Sequence, residues 1–196
     1  MCLNSAVKMY DALAASTQST RTFVSGIKAA QLDLPTPCAG WDVRSVLSHL
    51  VGTLSLGNAL LSSAPPDVSM APGDLPAEDV LGGDPLAAYD RGVGQLLATA
   101  ARPGMLDGTR STPFGEMPVA MLAGFTTLDI AVHGWDLAKA TGQSAVLDDG
   151  LASHVLEFAR TAVTPDSRAP RIGPEVAVGN SALVTDQLMA FMGRQP

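Results

Sequence analysis

Between positions 42 and 62 the apolar residues Val43, Val46, Leu47, Leu50, Leu54 and Leu61 recur at helical intervals, and no other feature restricts the chain so much. A helix with such a stripe is stable only when the stripe is covered by another element. The start of this helix is also marked. Asp42 can accept from the free backbone N–H groups of the first turn. Trp41 and Val46 stand at the spacing of a hydrophobic staple across that cap. The spacing therefore predicts a helix over about 42–62.

Further helices follow from the same periodicity. Residues 4–30 carry Ala6, Met9, Leu13, Phe23, Ile27 and Ala30 at three- and four-residue steps. A loop over 31–40 is punctuated by Pro35, Pro37 and Gly40. Residues 62–84 are rich in Pro, Gly, Ser and Asp and read as a long surface loop with at most one turn of helix. A third helix is expected over 86–101, ended by Pro103 and Gly104, followed by a connection with a short hairpin near TRSTPFG. Pro118 at a first helical position opens a fourth helix that runs to about Ala140 and stops at Thr141–Gly142. Asp148 or Asp149 caps a fifth over 151–163. The tail reads as irregular, with a strand at 174–178 and a last helix over 181–193. Nothing alternates strand with helix, so the expectation is an all-α four-helix bundle, one domain over 1–196, with a short irregular C-terminal extension.

Composition narrows the function. Hydrophobic residues make up 46% of the 196, and only 5 Phe, 2 Trp and 2 Tyr are present, so the core must be aliphatic. The formal charge of −7, with no basic run, opposes binding to nucleic acid or to an anionic membrane surface. Two cysteines, Cys2 and Cys38, form no disulfide framework and suggest a reducing compartment. The N-terminal MCLNSAVKMYDAL has neither the basic nor the long apolar region of a signal peptide, and no run of roughly 18 apolar residues occurs. A soluble cytoplasmic protein is expected. Cys2 is expected in a disordered end, and Cys38 as a small buried loop residue, with a redox or ligand role as the alternative.

The chemistry is concentrated in LDIAVHGWDLAKATG, residues 128–142. Asp129 and His133 are four apart on the fourth helix, which puts their Cβ atoms on one face about 5–6 Å apart. Such a pair can hold one metal ion, as the two histidines of HExxH do, with a carboxylate in place of one imidazole. Thr126, Asp129, His133 and Asp136 trace a polar stripe beside the apolar Leu122, Phe125, Leu128 and Val132. An isolated Asp–His pair is commoner as a hydrogen-bonded or exposed pair without a metal. His49 adds to the case: it sits mid-helix between Ser45 and Thr53, on another small polar stripe. Two histidines and a carboxylate from two helices would leave a coordination position open, as in catalytic rather than structural zinc sites. His154, near Ser153 and Glu157, is the competing histidine and reads as exposed. Asp136 can orient the free nitrogen of His133 or simply be solvated. Trp41 reads as a staple and Trp135 as core or pocket wall.

TPCAGWDVRSVLSHLVG (36–52), HGWDLAKATGQ (133–143) and the terminal IGPEVAV…MAFMGRQP together resemble the DinB-like metal-binding helical bundles, and among them the mycothiol-dependent maleylpyruvate isomerase N-terminal type. The resemblance implies a DinB-like four-helix bundle and a divalent metal, zinc first with nickel and iron as alternatives. The positions matching the family's ligands are His49, Asp129 and His133, with Asp at 129 where many relatives carry the longer Glu. It also implies mycothiol as a thiol co-substrate, a small electrophile as its acceptor, and pairing into a homodimer as a common state. The function expected is metal-dependent thiol S-transfer. The alternatives are a non-catalytic metal- or small-molecule-binding protein and a metal-dependent hydrolase, for which Glu116 and Glu157 are the later candidate bases.

Overall fold

The computed structural model describes residues 2–65, 67–69, 74–112, 115–168, 171–179 and 181–196, with side chains from Lys8 onward. The architecture is mainly helical, with one small antiparallel hairpin. In order, α1 is Cys2–Ser25, α2 Val43–Ser62, α3 Pro85–Ala100, β1 Thr109–Thr112, β2 Gly115–Pro118, α4 Val119–Ala140, α5 Asp149–Ala162, α6 Pro165–Arg168 and α7 Val184–Phe191. A single 3₁₀ turn, Ala29–Gln31, follows α1.

The termini of the helices follow local chemistry. Asp42 caps α2, its carboxylate accepting from the Ser45 N–H at 2.8 Å. Asp84 caps α3 with Pro85 at the first helical position. Asp148, rather than Asp149, caps α5 and accepts from the N–H groups of Gly150 and Leu151. β1 pairs with β2 in the register Thr109 to Pro118 and Thr112 to Gly115, so Pro118 closes the hairpin and α4 begins one residue later than expected.

Helices α1 to α4 share one aliphatic core, with Leu13, Val43, Leu50, Leu54, Tyr89, Leu96 and Ile130 all fully buried. A second cluster joins the other side of α4 to α5 and α7, around Trp135, Leu151, Val155, Leu188 and Met189. Helix α4 lies between the two, which explains a stretch buried nearly all round from Ile130 to Ala138. Gly134 permits a close approach to α1: a Cβ there would collide with the Thr20 hydroxyl oxygen. That hydroxyl donates to the Ile130 carbonyl at 2.9 Å, tying the two helices together beside His133. Helix α2 is long and apolar enough to cross a membrane, but most of its apolar length is buried against its neighbours.

Several expectations are corrected. The first helix ends at Ser25, not at 30, because the chain breaks at Gly26 before the 3₁₀ turn. No strand forms at 174–178 among the described residues. That segment is extended, and its Val176 N–H donates to the Ala190 carbonyl without a ladder partner. The tail is also less irregular than expected, since Pro165–Arg168 makes a helical turn. The last helix is confined to Val184–Phe191. The backbone of Cys2 belongs to α1, and its side chain lies outside the described residues. No helical turn occurs among the described residues of the 62–84 loop. It is held to α2 by the Val68 N–H, which donates to the Ser55 hydroxyl, and by buried Leu81.

Candidate metal site

His49 on α2 and Asp129 and His133 on α4 meet where the two helices pack. One donor atom from each lies within 4.8 Å of the others. His49 Nε2 is 2.9 Å from Asp129 Oδ2, and His133 Nε2 is 3.6 Å from Asp129 Oδ1. The two imidazole rings stand edge to face, with centroids 4.7 Å apart. Both histidines are buried, while the Asp129 side chain keeps 32% of its surface exposed. Of the three side chains, that of Asp129 is the most exposed. His154 lies exposed on α5 and takes no part. Glu116 and Glu157 are also exposed.

The far nitrogen of each imidazole is engaged. His49 Nδ1 donates to the backbone carbonyl of Asp74 at 2.9 Å, an oxygen that can only accept. His133 Nδ1 donates to Asp136 Oδ2 at 3.0 Å. Each neutral ring must then point an Nε2 lone pair toward the Asp129 carboxylate. Lone pairs facing carboxylate oxygens at these distances need a positive charge between them. A proton on His49 is one solution. Burial lowers its pKa, but the Asp129 charge and the hydrogen bonds to Asp129 and Asp74 outweigh this and raise it above the ordinary value. A divalent cation bound by the three donors is the other, and the donor set suits it: two imidazoles and one carboxylate, with the outer nitrogens oriented by oxygen acceptors.

Asp129 is held as the anion. Burial raises its pKa, yet the two imidazoles and the hydroxyl of Thr53, which donates to Oδ2 at 2.6 Å, hold it well below the usual carboxylate range. Thr53 is one turn after His49 on α2, so the helix that brings one donor also orients another. Asp136 is fully buried, which decides between its two sequence readings in favour of orienting His133. Burial raises its pKa too, but the His133 hydrogen bond and the Arg194 charge bring it below the ordinary value.

Trp41 departs from its expected role. Besides packing on the core beside the α2 cap, its ring stacks on His133 at 5.7 Å and leans on His49 at 4.8 Å. It forms an aromatic wall of the site. The staple spacing was legible in sequence; the second face of the ring was not. Asp74 and Arg194 had no sequence signal for their roles, since one acts through its backbone and the other reaches back from beyond α7.

The matched family is described as the mycothiol maleylpyruvate isomerase N-terminal domain, and it aligns with residues 13–138. The chain belongs to this DinB-like family. The matched span contains His49, Asp129, His133, Trp41 and Asp136, and stops before α5. Two proteins of Mycobacterium tuberculosis, one from each of two strains and both described as uncharacterized, are 33% identical to the chain over 176 residues. These alignments cover 87% of this chain and 89% of each relative. No solved structure matches the chain.

In this family member a second group of possible ligands adjoins the first: Cys38, His133 and Asp136 also have donor atoms within 4.8 Å of one another. Cys38 is a half-buried free thiol. Burial, with the Asp136 and Asp129 charges, pushes its pKa up to about 11 against the opposing pull of Arg194. Only the thiolate is nucleophilic, so Cys38 should resist alkylation at neutral pH. In a Cys2→Ser protein, the iodoacetamide rate plotted against pH should rise with a midpoint near 11. A midpoint at or below that of an ordinary thiol would show Cys38 to be an activated cysteine.

Proposed function

We propose that this protein is a divalent-metal-dependent thiol S-transferase built on the DinB-like four-helix bundle. Zinc is the metal, mycothiol the thiol and a small electrophile the acceptor. The observation that carries this reading is the convergence of His49 Nε2, His133 Nε2 and the Asp129 carboxylate, with both outer ring nitrogens already committed to oxygen acceptors. Family membership supports the choice of thiol.

His49, Asp129 and His133 would hold the ion. Such a cation supplies charge that lowers the pKa of a thiol beside it and fixes the sulfur's direction. The protein's part is to prepare the place. Thr53 fixes the rotation of the Asp129 carboxylate, while Asp74 and Asp136 fix the two rings. Trp41 walls one side and keeps water from the histidine edges. The solvent-facing side of Asp129 is the approach for both reactants. In the transfer, the thiol sulfur forms a bond to an electrophilic carbon, the leaving group departs with the electron pair, and the thiol proton passes to solvent. A cytoplasmic location suits a reduced small thiol.

The test is conjugate formation from mycothiol and an aryl chloride or epoxide by zinc-loaded protein. Turnover should disappear after chelation, return with zinc, and be absent in Asp129→Ala. Turnover indifferent to chelator would overturn the reading. Thiol-dependent changes in the visible spectrum of cobalt-substituted protein, with no conjugate formed, would make it a metal-dependent thiol-binding protein instead.

A further inference from the structure

We propose that Arg194, beyond α7 and outside the span shared with the family, is a positioning residue for the metal site: by pinning Asp136 it holds the His133 ring with Nε2 turned toward Asp129. The inference rests on the metal-site reading above.

The placement of Arg194 begins with a local cap. Helix α7 ends at Phe191, and Gly193 follows in the left-handed region at φ +79°. The Gly193 N–H donates to the Ala190 carbonyl at 3.0 Å and the Arg194 N–H to the Met189 carbonyl at 2.9 Å. This is the paired bonding of a Schellman cap, which reverses the chain at a glycine. Gly193 also lies against the backbone of Gly173, where a Cβ would come within 2.8 Å. The tail thus has a single seat, and from it the Arg194 side chain turns inward and is 8% exposed.

Inside, all three guanidinium nitrogens are used. Nε donates to Asp136 Oδ1 at 3.3 Å, Nη2 to Asp136 Oδ2 at 2.8 Å, and Nη1 to the Met192 carbonyl at 3.0 Å. The fork fixes the plane of the Asp136 carboxylate, which a single contact would not do. Oδ2 is the same oxygen that receives His133 Nδ1–H. Three groups from two distant parts of the chain therefore form one line: tail guanidinium, fully buried carboxylate, candidate ligand. Without the fork the carboxylate would keep the imidazole as its one side-chain partner and could rotate, taking the ring's orientation with it.

Two measurements test this. The first is zinc affinity by chelator competition for wild type, Arg194→Met and Arg194→Lys. Loss of an oriented outer partner should weaken binding about 10- to 100-fold in Arg194→Met. Arg194→Lys, which keeps the charge without the fork, should fall between the two. The second is the ¹⁵N NMR of the histidines in metal-free wild type and Arg194→Lys. His133 should carry its hydrogen on Nδ1 in wild type and show mixed tautomers in the variant. Equal zinc affinity in wild type and Arg194→Met overturns the inference and leaves the metal-site reading standing. So does a wild-type His133 with its hydrogen on Nε2. Zinc refused by wild type overturns the reading itself. Should Arg194→Met fail to fold, the lysine variant and the wild-type spectrum decide.

Discussion

Protein purified without chelator should carry about one divalent metal ion per chain, and His49→Ala, Asp129→Ala and His133→Ala should each carry almost none. Each substitution removes one of three donors, so the loss of affinity should exceed the about 10- to 100-fold that follows from disturbing an outer partner. The folded state should survive. In His133→Ala the buried Asp136 keeps its bidentate partner Arg194, and in His49→Ala the Asp129 carboxylate keeps the Thr53 hydroxyl and a side chain one-third exposed to water. His154→Ala is the control, since His154 is exposed on α5 and should retain the metal. Elemental analysis with circular dichroism on all five proteins reads both quantities. Metal kept at wild-type stoichiometry in any of the three donor variants would remove that residue from the site. No metal in wild type would leave the proton on His49 as the positive charge that the geometry requires.

Trp135→Ala should be the most destabilising single truncation in the second core. Trp135 is 1% exposed and lies among Ala138, Leu151, Val155 and Leu188 on the side of α4 away from the metal donors. Removing a buried indole loses its transfer free energy and leaves a cavity that rigid helices fill poorly, a cost of about 3–5 kcal/mol. For a chain of this size that corresponds to a fall in Tm of roughly 6–20 °C. Leu183→Ala provides the contrast. Leu183 is 54% exposed, and its loss should change stability by no more than about 0.5 kcal/mol. Calorimetric scans of the two variants in chelator separate core packing from any contribution of bound metal. A Trp135→Ala protein that melts with wild type would mean that α5 and α7 do not dock on α4 as the structure shows.

Family membership, the approximate helix positions and the cap at Asp42 were readable from the residues, and the α5 cap was narrowed to Asp148 or Asp149. They depend on near-neighbour chemistry: periodicity of three to four, a carboxylate before free N–H groups, proline and glycine at breaks. The pairing of Asp129 with His133 was readable for the same reason, because a helix fixes the distance between positions four apart. The strand expected at 174–178 failed because extended propensity needs a partner strand, and among the described residues that segment's backbone donates to the Ala190 carbonyl rather than to a strand.

What the tertiary structure alone decided is which distant groups meet. The sequence placed His49 on a polar stripe, but only the α2–α4 packing, with Gly57 at a close approach to Thr126, brings its Nε2 to 2.9 Å from Asp129. Asp136 had two readings from its position one turn beyond His133. Burial against Arg194, 58 residues away, chose one. Trp41 was visible as a staple, while its stacking on His133 depends on where α4 lies. The physical reason is common to all three. Backbone geometry propagates over a few residues, whereas a buried charge or ring is satisfied by whatever the packing of whole helices delivers to it.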